Sequence, residues 1–298
     1  MIIKTATTLD EQIVKLAKRG MIITDEKKAK EILFDIGYYR LGFYWFPFEK
    51  GYPRKNKNRQ HDFKQGTRFD DAVSLYYFDW DLRNVLAPFL HRIEICFRTA
   101  VIYIVSNHYR YNPTWFADSK VVDASFVKEL PDFYKIIRKN EAIKHHHKKY
   151  RNDIYAPAWK TLEYMTFGNM LFLFQNLKNT DLKKKIADRF NISNLDAFES
   201  QMKTIRIIRN ICAHGHNLYD IHFPQSIKTG ELKGLDNKQR NNLSGGLIVI
   251  DAILKSISEN RRAEFINKIH SVLSDPRFKA IQPIISHISI NPSQTSQK

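Results

Sequence analysis

The sequence predicts an all-α fold: a helical bundle with additional helices at both ends and a basic loop or hairpin set into it. Apolar residues recur at intervals of three and four along most of the 298 residues. Strand-like alternation is absent except around a basic stretch at 49–68. Hydrophobic residues make up 43% of the chain and aromatics 13%, enough for a substantial core, and no internal repeat is evident.

Taken in order, Leu9, Ile13 and Leu16 predict a first helix over Thr8 to Lys18, stopped near Gly20. A second runs from about Asp25 to Ile36. The segment "IGYYRLGFYWFPF" (36–48) is dense in aromatics, and these rings are expected to plug a core rather than to form an exposed base-stacking platform. Residues 49–68 have no hydrophobic period and read as a surface loop or a poorly ordered hairpin. From Phe69 to about His108 one long helix is expected, bent at Pro88, because Leu82, Leu86, Phe89 or Leu90, Ile93, Phe97, Ala100 and Ile104 step by threes and fours.

A middle region of helices and loops follows "YNPTWF" (111–116) and holds "KHHHKKYR" (144–151). Three adjacent histidines cannot share one helix face, so this segment reads as basic and solvated, not as a zinc site. "PAWKTLEYMTFGNMLFLFQNL" (157–177) suggests two helical pieces interrupted at Gly168. From Asp196, the stripe Phe198, Met202, Ile205, Ile208 and Cys212 predicts a helix that ends in "RNICAHGHN" (209–217). A loop is expected over 222–242, helices near 245–258 and 261–273, and a disordered tail over 289–298. The expected organisation is one helical domain over 1–223, a helical extension over 224–288 on the same core, and the tail.

Charge narrows the partners. Forty-eight Lys and Arg against 31 Asp and Glu leave a formal +17, which favours a polyanion through phosphate contacts and counterion release. Nucleic acid is the first partner to consider. Neither an 18-residue apolar run nor a signal peptide is found, so no membrane association and a cytoplasmic location are expected. Cys96 and Cys212 lie in apolar helical patterns and read as reduced core thiols. Lys50, Arg54, Lys55, Lys57, Arg59, Lys64 and Arg68 in the basic loop, with Lys144, Lys148, Lys149 and Arg151, are the expected RNA-binding residues. The loop is equally readable as a merely solvated charge run.

No glycine-rich phosphate loop, nucleophile elbow, HExxH or CxxC occurs. What remains is Arg209-x4-His214 at a helix end. An imidazole can move a proton between oxygens, and a guanidinium can hold a phosphate and offset its developing charge. Together they suit cleavage of RNA by its own 2′-hydroxyl, with no metal and no cofactor. In a regular helix, however, Arg209 and His214 stand about 140° apart around the axis, while Asn210 and His214 stand only about 40° apart. Either Gly215 ends the helix so that His214 is re-aimed, or two copies of the motif meet across a dimer.

These residues resemble a known family. "RNICAH" (209–214) is similar to the Arg-Asn-x-x-Ala-His form of the HEPN motif. "IGYYRLGFYWFPF" (36–48), "FDDAVSLYYFDWDLR" (69–83), "RIEICFR" (92–98), "PAWKTLEYMTFGNM" (157–170) and "RNICAHGHNLYD" (209–220) resemble, in order, the Abi-like (AbiD/AbiF) abortive-infection proteins of bacteria. The resemblance covers roughly residues 8–223 and implies a HEPN-like helical bundle. It implies an anti-phage toxin acting as a metal-independent endoribonuclease, with its site assembled from two Arg-x4-6-His motifs, and in some members a non-coding RNA antitoxin. Carried over by position, Arg209 and His214 are the catalytic pair and Asn210 orients the site. Glu94 and Arg98, at i and i+4 of the long helix, read either as support for it or equally as a plain intrahelical ion pair, and His216 as support. Arg98 and His108 are too far apart for a second motif, so a homodimer is required. His216 stands where modification-silenced HEPN toxins carry tyrosine, so that control is not expected. The alternative is a non-catalytic protein that holds a structured regulatory RNA.

Overall fold

The computed structural model describes residues 5–53, 61–232 and 235–290, and among them it holds thirteen α-helices, four short 3-10 turns and no strand. The N-terminal helices are α1 (Leu9–Lys18), α2 (Glu26–Ile36) and α3 (Tyr38–Trp45). Thr8 and Glu11 close a reciprocal capping box at the start of α1, and the Asp25 carboxylate accepts the Lys28 N–H at the start of α2.

The axis of the fold is α4 (Phe69–His108), forty residues and about 60 Å long, continuous through Pro88. Its length follows from apolar residues on more than one face, which let neighbours pack on several sides. After it come α5 (Ala124–Ile137), α6 (Glu141–Lys149), α7 (Ala158–Thr161), α8 (Phe167–Gln175), α9 (Thr180–Asp188) and α10 (Leu195–His214). The last helices are α11 (Leu243–Ile257), α12 (Glu259–Leu273) and α13 (Gln282–Ile285). Helices α3, α10 and α12 all pack along α4, and α11 lies between α10 and α12. The Phe97 ring of α4 meets Phe167 and Phe174 of α8 and Phe198 of α10, at centroid distances of 5.8, 5.8 and 6.1 Å. One continuous apolar core runs from Ile13 to Ile290.

Several local expectations are corrected. The aromatic segment does not simply plug the core. Leu41, Tyr44 and Trp45 are buried, but Tyr39 and Phe43 lie on the outward face of α3 with 83% and 43% of their surface exposed. The break expected at Gly168 falls earlier, at Met165 and Thr166, where the Thr166 hydroxyl caps α8 by accepting the Asn169 N–H; Gly168 sits within the first turn. The histidine run is solvated only in part: Lys144, His145, Lys148 and Lys149 are exposed, but His146 is not. It lies within α6, where His146 is buried with Nε2 3.0 Å from Asp153, and His147 Nε2 lies 2.6 Å from the Tyr134 hydroxyl. Burial, with Arg138 and His146 nearby, lowers the His147 pKa.

The basic stretch is pinned at both described ends. Glu49 bridges antiparallel to Phe63, whose side chain is buried, and Ile22 bridges to Arg68. Arg54, Lys55, Lys57 and Arg59 lie outside the described residues, as do 291–298 of the expected tail; Ile288 and Ile290 are buried.

The packing of α11 against the segment before it and against α10 depends on glycine. A Cβ on Gly245 would stand 2.1 Å from the Gln239 carbonyl oxygen, and one on Gly246 would stand 2.5 Å from Ile208 Cδ1. Gly245→Ala must therefore displace backbone and is expected to cost about 1–3 kcal/mol, read as a lower midpoint in urea unfolding followed by circular dichroism.

Candidate active site

Helix α10 carries the motif. Asn194 caps its start by accepting the Ala197 N–H at 2.9 Å, and Phe198, Met202, Ile205 and Ile208 bury one face. The helical path holds through His214. Gly215 then ends it in the left-handed conformation, φ +66°, where a residue without Cβ is favoured. Gly215 donates its N–H to the Ile211 carbonyl, and so does His216. His214 thus keeps its helical angle and is not re-aimed, and among the described residues no hydrogen bond joins it to Arg209. Its exposed ring lies 6.1 Å from that of His216, also exposed.

Arg209 is brought together with Glu94, Arg98 and Asn210. Glu94 of α4 is 4% exposed, and its two carboxylate oxygens divide their work between two helices. Oε1 accepts from Arg98 Nη2 at 3.0 Å, and Oε2 accepts from Arg209 Nε at 2.9 Å. Arg98 Nη2 also donates to the Met165 carbonyl at 2.9 Å, and Arg209 Nη1 donates to Asn210 Oδ1 at 3.3 Å. The pair Glu94 and Arg98 is therefore no isolated surface ion pair. Two guanidiniums share one carboxylate, which leaves local positive charge and holds Arg209, itself about one third exposed, by its Nε edge. That fixes the planar fork by its Nε edge with Nη1 on Asn210, and leaves a partly exposed guanidinium, a group suited to holding a phosphate.

The segment after the motif hangs on a residue not singled out from the sequence. Asp79 of α4 is fully buried and accepts from the Leu218 N–H (3.1 Å), the Tyr219 N–H (2.7 Å) and the Tyr44 hydroxyl (2.8 Å), and it pairs with Arg83. Arg83 Nη1 in turn donates to the His216 carbonyl at 3.0 Å, and Arg40 Nη1 to the Gly215 carbonyl at 2.9 Å. Burial pushes the Asp79 carboxyl up to about 6, with Arg83 and the donated hydrogen bonds pulling the other way. Burial also pushes the Cys212 thiol up to about 12, so it is a neutral packing group. The i, i+4 spacing of Asp79 and Arg83 is visible in "FDWDLR", but nothing in the sequence says that they reach across to residue 218.

Beside Gly215 and His216 opens a cleft of about 400 Å³, walled on its other side by Tyr39, Arg40 and Phe43 of α3. The basic residues are placed unevenly. Lys50 is exposed, Lys64 is spent on the Pro47 carbonyl at 2.9 Å, and Arg68 stands near Asp70 at the start of α4. Tyr52, at the root of the basic stretch, reaches Asp220 at 3.4 Å and so ties it to the loop that follows the motif. Lys148, Lys149 and Arg151 are exposed on and after α6, whereas Lys144 pairs with Glu141 at 2.6 Å. Among the described residues no three His, Cys, Asp or Glu side chains converge as a metal site, and no helix is long and apolar enough to cross a membrane.

Neither curated proteins nor solved structures give a match to this chain. A family model does: that of the Abi-like proteins matches residues 31–220, well over half of the chain. The matched span opens within α2, takes in all of α4 with Asp79, Arg83, Glu94 and Arg98, and closes just past the loop that Asp79 holds. It thus contains the described ion-pair network, the Arg209-x4-His214 helix end and the cleft, and leaves α11 to α13 outside. The chain belongs to the Abi-like protein family.

Proposed function

We propose that this protein is a toxin of abortive infection, a metal-independent HEPN-type endoribonuclease that works as a homodimer and is held in check by a non-coding RNA. Family membership supports the abortive-infection role. The observation that carries the chemistry is Arg209, braced by buried Glu94 and set beside Asn210, with an exposed His214 five residues on at the helix end.

His214 takes the proton of a ribose 2′-hydroxyl. The 2′-oxygen bonds to the adjacent phosphorus, the bond from phosphorus to the 5′-oxygen breaks, and the leaving oxygen receives a proton from the His214 of a second copy. Arg209 offsets the charge that builds on the phosphoryl oxygens. The second copy is needed because Arg209 and His214 of one chain point about 140° apart on an unbroken helix. DNA has no 2′-hydroxyl and is spared. The formal +17 supports RNA both as substrate and as neutralising partner.

The purified protein is expected to cut single-stranded RNA in excess EDTA, leaving 2′,3′-cyclic phosphate and 5′-hydroxyl ends. Cleavage that stops in EDTA, or ends that carry 5′-phosphate, would overturn this chemistry. RNA bound but left intact by the wild-type protein would instead favour a non-catalytic holder of a structured RNA.

A further inference from the structure

The cleft beside the motif is lined by Gly215, His216 and Asn217, the three residues that follow His214, yet the chemistry above does not use it. We infer that it is a nucleobase-binding subsite, in which an unpaired base next to the cleaved phosphate lies against Tyr39 and Phe43 and is read by Asn217. The inference rests on the ribonuclease reading for its substrate and adds where that substrate is gripped and which residues choose its sequence.

Four observations carry it. First, Tyr39 and Phe43 are one turn apart on the outward face of α3 and meet edge to face, with ring centroids 5.5 Å apart and planes at 83°. Their neighbours Leu41, Tyr44 and Trp45 already fill the core, so these two rings are left over from packing. Exposed rings beside a cleft are the platforms on which unstacked bases settle.

Second, the opposite wall is backbone and polar. Gly215 and Asn217 line it, and Asn217 makes no hydrogen bond to any described residue although it faces the cleft. An amide offers a donor and an acceptor side by side, the pattern that pairs with the edge of a base. Third, the wall is tied down on both sides. Arg40 holds the Gly215 carbonyl and Arg83 the His216 carbonyl, and Asp79 fixes residues 218 and 219, so Asn217 is carried on a loop anchored from both sides. A reader held this way need not be ordered on binding. Fourth, the cleft directly follows His214 in the chain, and its volume of about 400 Å³ falls within the range of about 300–1,000 Å³ for small-ligand sites. Arg40 adds positive charge at the rim, where a flanking phosphate of the same strand would lie. A stack on two rings tolerates any base, so selectivity falls to Asn217.

The test uses the full-length His214→Ala protein, expected to hold RNA without cutting it, and fluorescein-labelled single-stranded RNA decamers titrated by anisotropy. One series is intact, and in the other a single abasic site is walked along the decamer. Adding Tyr39→Ala or Phe43→Ala is expected to weaken binding of the intact decamer about five- to hundred-fold, the usual worth of one stacked base. One abasic position should weaken the unsubstituted rings' protein by a similar factor and hardly affect the Tyr39→Ala protein. Tyr39→Phe should bind nearly as tightly as the parent. In proteins that retain His214, Asn217→Ala is expected to change which sequences are cut more than the overall rate.

If Tyr39→Ala and Phe43→Ala leave affinity and abasic response unchanged while the wild type still cuts RNA, the subsite is wrong and the ribonuclease reading stands. If the wild type cuts nothing but the stacking effects are found, the subsite stands as an RNA-holding feature and the nuclease reading falls. If Tyr39→Ala instead shifts the dimer to monomer in sedimentation, this face joins two copies and the subsite is overturned. Tyr39 is 83% exposed, so its replacement is not expected to alter the fold, and a thermal melt checks this.

Discussion

His214→Ala is expected to abolish toxicity in a bacterial host and to lower RNA cleavage by about a hundred- to ten-thousand-fold, the usual contribution of a positioned proton-transfer group. RNA affinity should stay within a few-fold of wild type. The imidazole is exposed at the end of α10, so the thermal midpoint should not move. A parallel loss of RNA binding would sink the catalytic assignment and point to a holding role. Arg209→Ala is not an equivalent test. It leaves Glu94, 4% exposed, with only Arg98 as its charged partner, and so mixes a structural cost with any catalytic one.

Asp79→Ala should produce the largest loss of stability of any single polar substitution in the described site. One buried carboxylate receives two backbone N–H groups, the Tyr44 hydroxyl and the Arg83 guanidinium. Its removal leaves a buried cation without its counter-charge and three buried donors unmatched, expected to cost about 3–5 kcal/mol in urea unfolding at pH 7. Activity should fall with it even under conditions where the chain stays folded, because residues 216 to 219 lose their anchor. A drop below about 1 kcal/mol would mean that water replaces the carboxylate.

The same group sets a pH window. Burial raises its folded value to about 6 from an ordinary 3.8, so between those two values the native state holds more protons than the unfolded state. The part of its contribution that depends on the bound proton is therefore complete below about pH 4 and lost as pH rises through about 6, while the hydrogen bonds from Leu218, Tyr219 and Tyr44 persist above it. Asp79→Asn should flatten the fall in urea midpoint from pH 4 to pH 7 while leaving the rest of the pH profile in place.

Much of the fold is legible from spacing. Leu82 to Ile104 and Phe198 to Cys212 mark α4 and α10 because a buried helix face must repeat at about 3.6 residues, and Asn194, Thr8 and Asp25 are ordinary caps. The central hexapeptide of the motif is equally visible. Less legible are elements where periodicity is short or shared. The start of α8 is set by the Thr166 cap, although Gly168 looks like the break, and α6 hides its buried His146 in a run that reads as pure charge. Glu94 and Arg98 look like one more intrahelical pair, and only the approach of α10 to α4 shows that the carboxylate also holds Arg209.

The sequence by itself determined that this is a basic, helical chain ending one of its long helices in Arg-Asn-x-x-Ala-His, since composition and local periodicity are properties of residues close together in the chain. The tertiary structure alone decided what those residues work with. Asp79 reaches Leu218 and Tyr219, Arg40 reaches Gly215, and Tyr39 and Phe43 of α3 face Asn217 across a cleft. Such pairings join residues 139 to 178 positions apart and have no period to betray them. They exist because α3 and α10 bury their apolar faces against the same long α4, and whatever polar groups remain at that seam must find one another there.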